Sequence, residues 1–466
     1  MHSAGRWATG RRAGILVLIV AVVAGVAAVV WMNRAPRDPQ ATSEGYGRFR
    51  ISSPLDSTPV PQWTLRASDL SDEPGAVLLS APQGLDRYYG YGSPMDAGTV
   101  IVAATAVPGE PGPGETSGRG VGPVRMHGID PGTGQVRWTT EVGELDTCRE
   151  QIFDGKLACR GAHRVLIIEA ATGAILGDQT TDFEVMDVAV WDGVVSVTGR
   201  TPDWMTAVVT RGTFADIAAT WRRTYPTPLP GDPVTPRIGS RDYFQDGHDH
   251  SVRLYDLRTG EPLFTGPIVG TLEGGLIAEQ ENIWRPDRVR FLDRRGDAIS
   301  EVSNPGFISE WFPTATAAMP PILTGESAYE RTTGRALWTN AQIGMEDVTG
   351  RISAIQGVVD KTVIVRSREG SELSGLDLTD GHQIWRRPTP FANASRYSRF
   401  DGITDGRHLI LSDGAAVHAI DAADGSTAWS IALPPSERPN FRTAVQALGG
   451  RMVTTTAQEF TGYAAG

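Results

Sequence analysis

The sequence predicts an all-β chain, a β-propeller of four-stranded blades carried behind one apolar N-terminal segment. Three observations predict it. A turn-and-strand unit returns at a nearly constant spacing, short apolar strands with no long helical period fill the stretches between turns, and one run of 19 residues near the N-terminus carries no charge.

The clearest copy of the unit is Ile129 to Trp138, IDPGTGQVRW. Asp130 opens it with a side chain able to bond its own backbone. Gly134 sits where a tight turn needs positive φ, and Trp138 begins the next extended run. Five further copies place their glycines at Gly173, Gly260, Gly334, Gly381 and Gly425. Two worn copies, around Gly212 and Gly296, keep the strand, turn and strand but lose the aromatic. Spacings between successive turn glycines are 39, 39, 48, 36, 38, 47 and 44 residues, the length of one four-stranded blade. Within one period the pattern gives strands near Glu150 to Phe153, Lys156 to Arg160 and Arg164 to Glu169, with turns at Asp154-Gly155 and Thr172-Gly173. Such a blade has two apolar faces and is stable only when stacked on neighbours. Trp138, Trp338, Trp385 and Trp429 each follow the turn glycine by four residues. There the ring fills the wedge between blades and offers its N–H to a carbonyl.

These residues resemble the propellers of pyrroloquinoline-quinone-like (PQQ-like) repeats, whose signature is A-x-D-x-x-T-G-x-x-x-W. Thr133-Gly134 through Trp138 and Ala419 to Trp429, with Asp421 in the turn, carry the match, and the resemblance runs from Trp63 to the C-terminus. It implies that the Asp, Gly and Trp residues hold blades together and do no chemistry. Some relatives with these repeats are quinone-dependent dehydrogenases, which hold cofactor and calcium on the axis beside a vicinal cysteine disulfide. Others are envelope assembly factors that bind protein without cofactor. Here the two cysteines, Cys148 and Cys159, are eleven residues apart, and neither calcium ligands nor a catalytic aspartate can be assigned. The resemblance therefore favours a non-catalytic scaffold for an envelope or membrane protein, with no cofactor. A quinoprotein dehydrogenase and an extracytoplasmic ligand-binding sensor are the alternatives.

The ring is expected to close by joining the two ends of the chain. Trp63 to Ala67 resembles the strand that follows each turn, yet no such turn precedes it. The C-terminal strands, ending in Glu459 to Tyr463, lack their fourth member. Pairing Trp63 with the Tyr463 strand removes both open edges. Eight turns plus this composite blade make nine candidates. Eight blades are expected, within a range of seven to nine, one worn copy failing to form its own.

Net charge is −11, and residues 1 to 37 hold five arginines and no acid, so the remainder is more acidic still and repels phosphate backbones. Nucleic acid is excluded as a partner. Residues 14–32 match a bilayer core in length and read as an uncleaved anchor; a signal peptide is the rival reading. Arg6, Arg11 and Arg12 place the basic residues 1–13 in the cytoplasm and the propeller outside. Residues 33–61, rich in proline, read as a tether to a propeller spanning 62–466. Few lysines beside many arginines fit an actinobacterial source. An oxidising compartment suits a disulfide between Cys148 and Cys159, which lie either side of Asp154-Gly155, directly opposed or diagonal according to the turn.

Other stretches carry weaker signals. Asp246 to His250 (DGHDH) holds candidate metal ligands, His248 and His250 facing one way on a strand, but Asp246-Gly247 also reads as a plain hairpin turn. Pro108 to Pro123 reads as a loop too rich in Gly and Pro to pack, or a partner-binding flap. Glu281 to Arg290 reads as a solvated strand edge around Trp284. Asn393-Ala394-Ser395 matches a glycosylation acceptor by chance.

Overall fold

A computed structural model describes residues 46–79, 94–107, 123–149, 152–226, 236–239, 241–248, 251–266, 269–272, 276–280, 289–293, 295–302, 312–343, 355–367, 369–391, 401–433, 443–456 and 458–466. The expected anchor at 14–32, most of the 108–123 loop, Asn393 to Ser395 and residues 281–288 lie outside them. Apart from one helical turn at Ala67–Leu70 and a 3-10 turn at Ala341–Ile343, the described residues are strands, turns and irregular segments.

The strands form nine sheets, each built on an antiparallel blade, numbered here as blades 1 to 9. Blade 1 is built on Val77–Leu79, Ile101–Ala106, Val124–Ile129 and Val136–Gly143, with Met95–Asp96 beside Ile101–Ala106. Blade 2 runs from Thr147 to Thr180, blade 3 from Glu184 to Pro226 and blade 4 from Arg237 to Gly266. Blade 5 runs from Val269 to Glu301, blade 6 from Ile322 to Thr339, blade 7 from Ile355 to Pro388 and blade 8 from Asp401 to Ala432. Blade 9 is composite, its outer strand Val60–Arg66 lying against Glu459–Ala464.

The count is nine rather than eight because both worn copies form blades of their own. Trp221, nine residues past Gly212, donates its indole N–H to the Arg258 oxygen at 3.0 Å and so does the work of the missing ring for blade 3. In blade 5 the small hydroxyl of Ser300 bonds the Gly334 oxygen at 2.7 Å instead.

Nine clusters of buried apolar residues lie one at each blade interface, from Val102 with Leu166 between blades 1 and 2 round to Phe460 with Ile129 between blades 9 and 1. That distribution is what alternate strand residues facing opposite neighbours produce. In blade 2, Leu166 and Ile168 face blade 1 while Val165 and Ile167 face blade 3.

Residues 46–61, expected to belong to the tether, pack on the ring instead. From residue 46 the chain is part of the ring. Tyr46–Arg48 pairs with Thr314–Thr316, which itself runs parallel to the first strand of blade 7. Ile51 N–H then bonds Thr404 O at 2.8 Å, Ser52 N–H bonds Gly450 O at 2.8 Å, and Ser57 Oγ bonds Gly466 O at 2.9 Å. Prolines spoil periodicity, so this strap, whose partners are all far along the chain, leaves no local signature.

Candidate interaction surface

The turns of blades 1, 4, 5, 6, 7 and 8 are each closed by their own acid, while in blade 2 Glu169 bonds Lys156 instead. Asp130 Oδ1 accepts the N–H groups of Gly132 and Thr133 at 2.8 and 3.0 Å, and Arg137 Nε reaches Oδ2 at 3.1 Å. The Arg137 hydrogen bond, then the turn N–H groups, holds this carboxyl below its usual range against a small desolvation cost. Blade 6 uses Glu330 instead. Bonded first by Thr333 and then by Thr332, it is drawn down to about 2. Gly134, Gly173, Gly260, Gly334, Gly381 and Gly425 all take positive φ.

Docking tryptophans join blades 9, 1, 6 and 7 to the blades that follow them. Trp63 Nε1 donates to Pro131 O at 3.0 Å, Trp138 to Ala170 O at 3.1 Å, Trp338 to Leu378 O at 2.9 Å and Trp385 to Ala422 O at 2.9 Å. The ring then covers the turn glycine it meets, for a Cβ on Gly381 would fall 2.4 Å from Trp338 and one on Gly425 2.4 Å from Trp385. A one-residue bulge precedes the docking position in eight blades, as between Gly128 and Ile129 opposite Trp138, and turns the ring inward. Sequence reading missed a second small residue. Beneath the Trp138, Trp385 and Trp63 indoles, in their own blades, lie Gly128, Gly375 and Gly462, where a Cβ would sit 2.0 to 2.3 Å from the ring, while Ala328 and Ala419 stand opposite Trp338 and Trp429. The alanine that opens the signature is the trace of this requirement.

Trp63 and Tyr463 both lie in the closing blade, Trp63 opposite Gly462 and packed towards blade 1, Tyr463 opposite Pro61 and packed towards blade 8. Trp429 has no following turn to dock on, and its Nε1–H bonds Leu55 O instead, at 2.6 Å. The strap is fixed there by a buried pair. Asp405 accepts from Leu55 N at 2.9 Å, from His408 N at 2.6 Å and from Arg407 N at 2.9 Å, with His408 Nδ1 at 2.8 Å. Burial alone would raise the Asp405 carboxyl, but His408 and the three backbone donors bring it down to about 2.

Cys148 and Cys159 are joined, directly opposed with Cα atoms 3.8 Å apart and both buried between blades 1 and 2. The turn is nevertheless the two-residue Asp154-Gly155, since Phe153 bridges Lys156. Two extra residues on the first strand reconcile the registers.

Of the DGHDH segment, Asp249, His250 and the side chain of His248 lie outside the described residues. Asp246-Gly247 is not a turn; both residues lie inside the strand Tyr243–His248, and Asp246, fully buried, is bonded by Arg253 at 2.9 Å. Arg290 likewise bonds Glu279, at 2.5 Å from Nε. Asp377, Asp380 and His382 bring ligand-type atoms within 4.8 Å of one another on the exposed turn of blade 7. Those atoms serve the turn: Thr379 N–H bonds Asp377 at 2.7 Å, and His382 bonds Asp380 through its N–H at 3.0 Å and Nδ1 at 2.6 Å.

The two ends of the ring differ. Antiparallel order puts the signature turns, and the turns joining first to second strands, at one end. The strap crosses that end at Thr404 and Gly450. The opposite, loop end carries the connections between second and third strands. The hairpin Thr201 to Met205 of blade 3 belongs to it, and at its tip Trp204 is 50% exposed.

Residues 325–405 match the family described as outer membrane protein assembly factor BamB. No curated protein matches the chain. BamB from Moraxella catarrhalis is 12% identical over 87% of this chain and 99% of its own, with a TM-score of 0.42. A europium-containing methanol dehydrogenase is 11% identical over 92% of this chain and 99% of its own, at 0.45. The quinohemoprotein alcohol dehydrogenase from Comamonas testosteroni is 11% identical over 91% of this chain and 81% of its own, at 0.41.

Proposed function

We propose that this PQQ-like propeller is a non-catalytic, protein-binding scaffold of a bacterial cell envelope. Residues 14–32 hold it to the membrane, with the N-terminus cytoplasmic and the ring outside. One observation carries the scaffold reading: the chain lays its own strand Tyr46–Arg48 along Thr314–Thr316 beside the first strand of blade 7, where a propeller's innermost strands line the axis. Backbone then occupies the position from which an axial cofactor would be reached. The assembly-factor match over blades 6 to 8 supports the same reading, and the Cys148–Cys159 bridge supports an oxidising compartment.

The test is proximity labelling from a full-length chain fused at its C-terminus, in intact cells. A recurrent envelope protein among the labelled neighbours, recovered again as a purified complex, is the expected result. Saturable binding of pyrroloquinoline quinone with calcium, accompanied by dye reduction on alcohols, would replace the scaffold by an enzyme.

A further inference from the structure

Five non-glycine residues among those described take positive φ. Asp154, Asp192 and Asp360 are short polar residues in tight turns, where that conformation is ordinary. Phe49 sits in the strap, its oxygen accepting Thr404 N–H at 3.0 Å as the chain changes direction. Trp204, at φ 64°, is different. It occupies the last position of a β-turn closed by its own N–H on Thr201 O at 2.8 Å, a place that glycine or asparagine fills without strain. A bulky aromatic there is a local cost, and the ring recovers little of it by burial, being half exposed.

The ring is nonetheless held. The Arg200 guanidinium lies 4.4 Å from its centroid, and Arg200 is fixed in turn by Glu184, with Nε to Oε2 at 2.7 Å and Nη2 to Oε1 at 3.0 Å. Asp203 accepts from Thr201 Oγ1 at 2.5 Å and from Met205 N at 3.1 Å, which stiffens the hairpin. One face of the indole is thus covered by a cation and the rest faces solvent at the loop end. A strained, rigid, exposed tryptophan is the kind of residue that anchors an interface.

We propose that Trp204 anchors a peptide-docking surface at the loop end of blade 3, taking a prolyl ring from an extended segment of a partner protein. The proposal rests on the scaffold reading and names where on the ring a partner binds. Arg200 already occupies one face, which disfavours a second cation on the other. A flat C–H surface remains as the complementary chemistry. Sugars and prolines both offer one, but a sugar also needs its hydroxyls bonded, and the polar groups beside Trp204 are already bonded to one another. A prolyl segment asks for no such partners and comes with little conformational entropy to lose.

The test is calorimetric titration of the full-length chain in detergent with octaproline and, separately, with hexa-N-acetylglucosamine, alongside the Trp204→Gly variant. Octaproline should bind saturably, and Trp204→Gly should weaken it at least about tenfold. The thermal midpoint of that variant should hold or rise by about 1 °C, because glycine suits the backbone better. Absence of octaproline binding, equal binding by the variant, Trp204-dependent binding of the sugar instead, or a fall of several degrees in the midpoint would each overturn the proposal. Envelope neighbours labelled equally by wild type and variant would overturn it too, while leaving the scaffold intact.

Discussion

The indole N–H of Trp429 and the main-chain oxygen of Leu55, 374 residues apart in sequence, are 2.6 Å apart in space. In blades 1, 3, 6, 7 and 9 the indole donor meets a residue of the following turn. Here the strap supplies the acceptor, so it is a working part of the ninth blade.

Cutting the strap should therefore damage the ring. Deleting residues up to Thr58 strips Ile51 and Leu55 from the cluster between blades 8 and 9. Denaturant unfolding should show a lower midpoint for the whole domain. Trp429→Phe, which keeps a ring but drops the hydrogen bond, should cost about 1 kcal/mol, and Trp63→Ala at the next seam, between blades 9 and 1, about 3 kcal/mol.

Acid should loosen the same seam. The Asp405 carboxyl is lowered from 3.8 to about 2, so its contribution is complete above pH 4 and is lost as pH falls through 2. A difference of that size is worth about 2 kcal/mol. Asp405→Asn should be less stable at neutral pH and should flatten the thermal midpoint between pH 4 and 2; an unchanged slope would refute this account.

His127 opens a second, separate window. It is fully buried between Thr105 and Thr139, at 2.9 and 3.0 Å, and burial, helped by Arg125, lowers it from 6.5 to about 4. The unfolded chain then binds the proton first, so stability is full above pH 6.5 and falls by about 3 kcal/mol on the way to pH 4. His127→Gln should remove that slope while leaving the Asp405 window in place.

Glycines beneath the rings should resist substitution. Gly128→Val, larger than the Ala328 and Ala419 that stand opposite Trp338 and Trp429, puts a carbon 2.0 Å from the Trp138 indole and should cost about 3 kcal/mol or prevent folding, while Gly161→Ala, whose nearest neighbour is 3.6 Å away, should be tolerated. Circular dichroism melts of the two variants make the comparison.

The disulfide predicts a simple readout. Unreduced, denatured protein should take up no thiol label at Cys148 or Cys159. Replacing both by serine should cost about 2 to 3 kcal/mol.

The fold class was legible because turn chemistry is local: Asp130, Gly134 and Trp138 announce a blade within nine residues. What escaped was non-local. Blade 3 docks through Trp221, outside the signature spacing, and blade 5 through a serine, so neither worn copy advertised its independence. The strap's partners, Thr404, Gly450 and Gly466, are hundreds of residues away. Trp204 looks like any exposed loop residue until its φ is known.

Pairing of Val60–Arg66 with Glu459–Ala464 also sets a timetable. At about 5 to 20 residues per second, the first strand of the finished ring waits roughly 20 to 80 seconds for its partner to be synthesised. Until then two sheet edges and the apolar side chains around Leu55 and Trp63 remain open to any neighbouring chain. Glu459–Ala464 acts as the latch. A chain cut short before Glu459 is therefore not a slightly shorter ring but an unclosed one, prone to aggregate.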